Sequence, residues 1–128
     1  MTEAKIGQKG ITSSTINFGI APRINAMGRL KNGLSALKLL CTNNSLQAKQ
    51  LAHELNQTNS DRQDMTYQQL SIAKDQVTKQ INQKLLVVFS DQFHEGIIGL
   101  IAGKIMEEHY KPAIVISHDE QTGKASAR

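Results

Sequence analysis

Two short apolar runs on either side of a helical stretch constrain the fold of this 128-residue chain more than any other feature. The runs are LLVVFS at 85–90 and AIVIS at 113–117, and their β-branched residues are typical of buried strands. Between them, a glycine-marked turn leads into a helix that the apolar spacing predicts over 97–109, and Pro112 ends it. Because a connection of this length can join parallel strands, we predict a mostly parallel β-α-β unit.

Helical spacing also dominates the middle of the chain. Apolar residues recur every three or four positions after Gly33, which predicts a short helix ending near Thr42. The same spacing over 45–82 predicts one long helix or two stacked helices. The centre of this segment, 56–64, is almost wholly polar, as in a helix that bridges two bodies. We therefore interpret 45–82 as a connector.

The two ends of the chain carry weaker signals. Residues 1–19 mix Gly, Ser, Thr and Asn without helical or strand period, which predicts a loop or the end of a larger unit. The final KASAR, residues 124–128, predicts the opening of a third strand, and a sheet that stops there indicates a truncated domain. The whole sequence thus predicts an α/β fold in which one or two connector helices precede a small, truncated α/β domain.

The charge of the chain is concentrated near its N-terminus. Residues 1–32 hold five basic residues and one acidic residue, and this difference equals the formal charge of +4 of the whole chain. Such a segment suits contact with a polyanion, although a charge of this size is also ordinary for solubility. The charged residues of the segment are Glu3, Lys5, Lys9, Arg23, Arg29 and Lys31.

Cysteine content and hydropathy indicate the compartment. The single Cys41 excludes an internal disulfide, and its apolar neighbours predict that it is buried. Residues 1–20 lack the apolar centre of a signal peptide, and no run reaches the roughly 18 apolar residues of a membrane span. We therefore predict a cytoplasmic protein without a membrane partner.

The strongest candidate site is FHEGIIGLIAGKI at 93–105, where a strand ends and a helix begins. Amide groups at a helix N-terminus attract phosphate or another anion. Gly96 and Gly99 would let a ligand backbone approach closely, and His94 could donate to a phosphate or a base. The alternative is that these glycines only allow the helix to pack against the sheet.

A second candidate is the segment APRINAMGRL, which sets Arg23 and Arg29 around Asn25. Guanidinium groups suit phosphate oxygens because their donors form a planar fork. Pro22 and Gly28 favour a shaped loop over a free tail. The alternative is that the arginines only pair with carboxylates.

Ser126 and Arg128 form a third candidate, because residues two apart on the predicted strand share a face. Residues that would cut a phosphodiester are lacking, since the carboxylates and the four histidines are scattered singly rather than clustered around a metal. No Ser-His-Asp arrangement, Walker loop or dinucleotide fingerprint is present. The residues alone predict an anion-binding α/β module without catalytic residues, metal or cofactor.

Five segments, in order, resemble one protein family. FGIAPRINAMGRL, the Gln-rich connector, FHEGIIGLIAGKI, YKPAIVIS and KASAR make residues 16–128 similar to the RecJ family of the DHH phosphoesterase superfamily. The resemblance implies a DHH catalytic module that binds manganese or magnesium, a linking helix and a DHH-associated domain. It assigns 1–32 to the C-terminal edge of the catalytic module, 33–83 to connecting helices and 84–128 to the N-terminal part of the DHH-associated domain.

The resemblance also implies a function, because RecJ-like proteins are 5′-to-3′ exonucleases of DNA repair and recombination that degrade single strands. Their Gly-Ser-Gly-Arg strand, which helps to hold the 5′ phosphate, corresponds to residues 125–128 here, with Ser126 and Arg128 kept. The aspartates that bind the catalytic metals are absent, so we expect this chain alone to be inactive. Its expected partners are the 5′ end of single-stranded DNA and the catalytic module. The residues expected to hold the strand are Arg23, Arg29, His94, Ser126 and Arg128.

Two other functions stay open. The chain could be a stand-alone module that binds nucleic acid, which a complete sheet would favour. It could also come from a DHH phosphodiesterase that acts on short RNA or cyclic dinucleotides, although the PRINA block at 22–26 disfavours this reading.

Overall fold

The structure is a computed structural model that describes residues 10–128. Glu3, Lys5 and Lys9 therefore lie outside the described residues, as does the first half of the predicted N-terminal loop. Contacts divide the chain into two compact units, 1–63 and 64–128. Among the described residues, no helix is long and apolar enough to cross a membrane.

The first unit consists of helices. A π-helical segment, Thr15–Ile20, runs directly into helix α1, Ala21–Leu30, and helix α2 follows at Leu34–Cys41. Helix α3, Ser45–Thr78, contributes its residues up to position 63. These helices share a small core of buried or partly buried apolar side chains, which are Ile24, Met27, Ala36, Leu39 and Leu55.

The predicted loop is wrong where the structure describes it. Residues 15–20 are helical, and APRINAMGRL forms α1 instead of a shaped loop. Pro22 lies in the first turn of α1, where a missing N–H is tolerated and the fixed φ of proline suits a helix. Gly28 costs the helix conformational entropy, although a methyl group added there would meet no side chain or other element within 4 Å. Neither residue therefore breaks the helix.

Helix α3 is one continuous helix, which decides between the two alternatives left by the sequence. Asn44 starts it, because its Oδ1 accepts hydrogen bonds from the N–H groups of Leu46 at 2.9 Å and Gln47 at 3.1 Å. Its polar centre is not uniformly exposed, since Thr58 and Asn59 are buried. The interpretation of this stretch as a connector did not predict that Thr58 and Asn59 are buried.

The second unit contains a three-stranded sheet. Strand β1, Leu86–Ser90, precedes helix α4, Ile98–His109, and strands β2, Ala113–His118, and β3, Gly123–Ala127, complete the order β1-β2-β3. Strand β1 pairs with β2 in parallel, and β3 pairs with β2 antiparallel. The predicted α/β fold with its parallel β-α-β unit is confirmed, and the third strand turns back along the second.

One face of this sheet is buried together with α4. Strand residues alternate between buried and more exposed positions, as side chains on opposite faces of a sheet do. The fully buried apolar residues of the strands are Leu86, Val88, Ala113 and Val115, and those of α4 are Ile98, Ile101, Ala102 and Ile105. The opposite face presents Phe89, which is 58% exposed.

The outer edge of β1 is closed, in place of a fourth strand, by two glutamine side chains, Gln76 near the end of α3 and Gln80 in the turn that follows it. The Gln80 Nε2 donates to the Val87 carbonyl at 2.7 Å, and its Oε1 accepts from the Val87 N–H at 3.1 Å. Gln76 makes the same two bonds to Phe89, at 2.8 and 3.1 Å. Because a carboxamide carries both donors and an acceptor, each glutamine satisfies one edge residue completely.

Cys41 is exposed, contrary to the expectation that it is buried. In α2, Ala36 and Leu39 lie three positions apart and face the core, which turns Leu37 and Leu40 outward together with Cys41. The apolar run at this position therefore does not mark one buried face.

Candidate nucleic-acid interface

Arg23 is held in place by hydrogen bonds within the first unit. It lies on α1, is partly buried, and donates from Nε to the Asn56 Oδ1 at 3.0 Å. Its Nη1 donates to the Gly19 carbonyl. A guanidinium that is fixed on two sides loses little further freedom when its remaining donors meet a ligand. Asn56 thus orients a candidate phosphate-binding group.

Arg23 lines an open cavity of about 620 Å³ in the first unit. The cavity wall is largely polar, and most of it comes from the centre of α3. Besides Arg23, its side chains include Phe18, Pro22, Asn56, Asn59 and Arg62. The polar stretch of α3 thus has a definite location, as one wall of a cavity with two guanidinium groups.

Arg62 adds positive charge that the sequence analysis missed. Its Nη2 donates to the Asn59 Oδ1 at 3.1 Å. Burial lowers the pKa of the Arg62 guanidinium, and the positive charge of Arg29 lowers this pKa further. The charges of Arg29 and Arg62 are therefore close enough to repel each other, and Arg62 lines the same cavity as Arg23.

The other predicted residues of α1 lie apart from this cavity. Asn25 is exposed and stands two positions after Arg23, about 200° around the helix from it. Arg29 is exposed near the end of α1, and neither residue lines the cavity. The structure therefore brings Arg23 together with Asn56 and Arg62, and it separates Asn25 from them.

In the second unit, His94 is fixed within the turn between β1 and α4, residues 91–97, here called the His94 turn. The His94 N–H donates to the Gln69 Oε1 at 2.9 Å, and the His94 carbonyl accepts from the Ile97 N–H at 3.0 Å. The ring Nδ1 accepts from the Gly96 N–H at 3.0 Å. An accepting Nδ1 carries no proton, so the neutral ring has its proton on Nε2 and presents a donor there.

Gly99 lies in the first turn of α4, directly beneath the side chains of Ser126 and Arg128. A methyl group at position 99 would lie 3.2 Å from the Ser126 Oγ and 3.3 Å from the Arg128 Nη2. The prediction that Ser126 and Arg128 share a face agrees with this placement, and the absence of a side chain at Gly99 makes room for both. These three residues, here called the Gly99 cradle, gather a hydroxyl and a guanidinium beside the N-terminus of α4.

Charge beside the Gly99 cradle is balanced. Lys124 on β3 forms an ion pair with Glu95 in the His94 turn. The hydrogen bond from Lys124 and its positive charge lower the pKa of the Glu95 carboxyl, which therefore remains ionised at neutral pH. Because Lys124 neutralises Glu95, the positive charge of Arg128 determines the local sign, and the cradle suits an anion such as a phosphate group.

The residues present do not fit a metal ion. Within the described range, no three side chains of His, Cys, Asp or Glu lie together as metal ligands. The charged candidate groups are guanidinium groups, which attract anions and repel cations.

Comparison with curated proteins identifies similar sequences. The chain is 38% identical over 117 residues to the single-stranded-DNA-specific exonuclease RecJ of Bacillus subtilis, a match that covers 89% of this chain and 15% of that protein. It is 31% identical over 112 residues to RecJ of Thermus thermophilus, covering 88% and 16%. The chain therefore spans about one sixth of the length of these relatives.

Solved structures give the same result. The crystal structure of RecJ from Thermus thermophilus in complex with Mg²⁺ matches with a TM-score of 0.79 and 26% identity, over 99% of this chain and 20% of that one. The crystal structure of exonuclease RecJ bound to manganese matches with a TM-score of 0.78 and 30% identity, over 99% and 31%. No protein-family model matches the chain. The chain is therefore RecJ-like, and it corresponds to one segment of those longer proteins.

Proposed function

We propose that this chain supplies phosphate-binding surface to a 5′-to-3′ exonuclease that degrades single-stranded DNA in repair and recombination. The observation that carries the proposal is the Gly99 cradle, in which Ser126 and Arg128 stand over the first turn of α4. The likeness to RecJ supports the choice of single-stranded DNA as the ligand. The activity of the whole enzyme is part of the proposal, because the chain spans 15% of the Bacillus subtilis relative.

The proposal includes the division of labour within the longer protein. Residues 1–32 form the C-terminal edge of the DHH catalytic module, 33–83 connect, and 84–128 begin the DHH-associated domain. Manganese or magnesium belongs to the catalytic module, which is also the intramolecular partner of this chain, and we place the protein in the cytoplasm. RecJ structures that contain Mg²⁺ or Mn²⁺ support this choice of metals.

The residues act by binding and orienting the strand. In the proposal, Ser126, Arg128 and the Nε2–H of His94 donate to non-bridging oxygens of a terminal phosphate. Arg23 and Arg29, in the first unit, bind backbone phosphates of single-stranded DNA. Gly96 and Gly99 keep room for the strand, and Asn25 offers an exposed amide to it. The roles of all eight residues stay predictions.

The test is fluorescence anisotropy with a 5′-phosphorylated single-stranded oligonucleotide and the full chain. We expect Arg23→Ala with Arg128→Ala to weaken binding about tenfold or more at low salt. The slope of log affinity against log salt should fall by about 1.4, because each lost phosphate contact on a single strand contributes about 0.7. A 5′-hydroxyl oligonucleotide should show a smaller effect of Arg128→Ala than the phosphorylated one.

Lys49→Ala with Lys79→Ala is the matched control, since both lysines are exposed on α3 or at its end and the change in net charge is the same. This control should retain most of the affinity. An equal loss in both double variants would indicate unspecific attraction by net charge and contradict the proposal, as would absence of binding by the unmodified chain at low salt.

Gly99→Ala should weaken binding of the same oligonucleotide about fivefold without unfolding the chain. The added methyl group would displace the side chains of Ser126 and Arg128, which can rotate away without moving the backbone. Gly103→Ala is the control, because Gly103 lies on the same helix and a methyl group added there would meet nothing within 4 Å. Both substitutions should raise helix stability by up to about 1 kcal/mol in thermal unfolding. Unchanged affinity in Gly99→Ala would argue against the cradle.

A further inference from the structure

Three glutamines lie in series at the end of the connector: Gln69 and Gln76 on α3, and Gln80 in the turn that follows it. Gln69 and Gln76 are seven positions apart, about 20° from one another around the axis of α3, and the Gln80 N–H bonds the Val77 carbonyl at 2.8 Å. All three amides bind backbone groups of the second unit, at Val87, Phe89 and His94. These three glutamines explain part of the Gln-rich composition of the connector.

Two of these glutamines bind alternate residues of β1: Gln76 binds Phe89, and Gln80 binds Val87. Two residues of strand rise about 6.6 Å, from Phe89 to Val87, and alternate residues of a strand direct their N–H and C=O groups to the same edge. The glutamines therefore fix the position of β1 relative to the end of α3, and the chain that leaves β1 enters the His94 turn from a fixed point.

Gln69 extends this arrangement to the candidate site. Its side chain is buried, at 8% exposure, and its Oε1 accepts the His94 N–H at 2.9 Å. His94 is partly buried, so its N–H would lose a hydrogen bond that water could replace only in part if this acceptor were removed. The His94 backbone therefore depends on Gln69, and the ring depends on the Gly96 N–H that binds its Nδ1.

We propose that Gln69 is a positioning residue for His94: it holds the His94 turn so that Gly96 binds Nδ1 and Nε2–H is presented to a phosphate oxygen. The ligand in this statement rests on the proposed function. The effect of Gln69 on the His94 ring is independent of the proposed function, because every group involved belongs to the chain itself.

The test compares Gln69→Met, which removes the acceptor at nearly constant length, with Gln69→Glu, which keeps an oxygen acceptor. Long-range ¹H–¹⁵N spectra of the imidazole rings, recorded on the full chain without ligand, distinguish the two neutral tautomers. We expect His94 to show the Nε2–H tautomer in the unmodified chain and in Gln69→Glu. In Gln69→Met, we expect averaged nitrogen shifts, because the turn is released.

Binding of the 5′-phosphorylated oligonucleotide gives the second readout. Gln69→Met should weaken it about tenfold, and Gln69→Glu should stay within about threefold of the unmodified chain. In a His94→Ala background, Gln69→Met should have no further effect, because a positioning residue acts through the group it positions. Gln68→Met, an exposed neighbour on α3, is the control and should change neither readout.

The ring spectra and the binding measurements distinguish failure of the positioning role of Gln69 from failure of the proposed function. Unchanged ring spectra in Gln69→Met would overturn the positioning role. Equal loss of binding in the Met and Glu variants would also overturn it, as would a Gln69→Met effect that persists without His94. If the ring spectra respond as expected while the unmodified chain binds no oligonucleotide, the proposed function fails and the effect of Gln69 on His94 stands.

Discussion

Replacing both Gln76 and Gln80 with leucine is expected to lower the free energy of unfolding by about 3 kcal/mol. Four hydrogen bonds to the backbone of β1 would be lost, each with a net value of about 0.5–1.5 kcal/mol. Leucine would also keep water away from the N–H and C=O groups of Val87, which is partly buried. Alanine is small enough to let water bind these backbone groups, so the alanine pair should lower the free energy of unfolding by less than the leucine pair. Urea unfolding followed by circular dichroism measures both.

Gln63→Leu with Gln68→Leu is the matched control for this experiment. Both side chains are exposed on α3, and leucine and glutamine have similar helix propensities. The control should change the free energy of unfolding by less than about 0.5 kcal/mol. If the two leucine pairs unfolded at the same urea concentration, the hydrogen bonds of Gln76 and Gln80 to β1 would contribute nothing to stability.

Ile101→Ala should destabilise the chain by about 2–5 kcal/mol, the range for removing a large aliphatic side chain from a core. Ile101 has no exposed surface, and it belongs to the buried side of α4, among the buried residues of the second unit. The helix and the sheet each have a continuous hydrogen-bonded backbone, so the site has little freedom to collapse around the cavity. Thermal and urea unfolding should both detect the change.

Ile81→Ala removes the same atoms from a side chain in the same unit that is 50% exposed. We expect it to cost less than about 1 kcal/mol, because little apolar surface is returned to water. Equal destabilisation by both substitutions would show that Ile101 is not part of a close-packed core.

The second unit could be predicted well because its signals are local. The two β-branched runs, the helical spacing over 97–109 and the position of Pro112 each report on neighbours in sequence, and β1, α4 and β2 follow them within one or two residues. The helix α1 was missed because Pro22 and Gly28 usually interrupt helices. Pro22 is tolerated because it lies in the first turn of α1. The start of α1 follows directly on the helical segment Thr15–Ile20, so local composition does not mark it.

The candidate site could be predicted in part. Strand alternation placed Ser126 and Arg128 on one face, and the glycines marked the start of α4. That Gly99 makes room for Ser126 is a contact across 27 positions, which no local pattern encodes. Gln69, Asn56 and Arg62 were missed for the same reason, because a glutamine or asparagine that binds a distant group has the same local sequence as one that faces water.

The closed edge of β1 changes what amide hydrogen exchange would report. The N–H groups on the open side of an edge strand usually exchange with solvent quickly, even when the other amides of the sheet exchange slowly. In β1, the amide protons of Val87 and Phe89 are held by Gln80, in the turn after α3, and by Gln76, near the end of α3, so each exchanges only when its hydrogen bond to the glutamine opens. The exchange rate of Phe89 therefore measures how often the end of α3 separates from the strand, and that of Val87 how often the following turn does, while the amides inside the sheet record only the opening of the sheet itself.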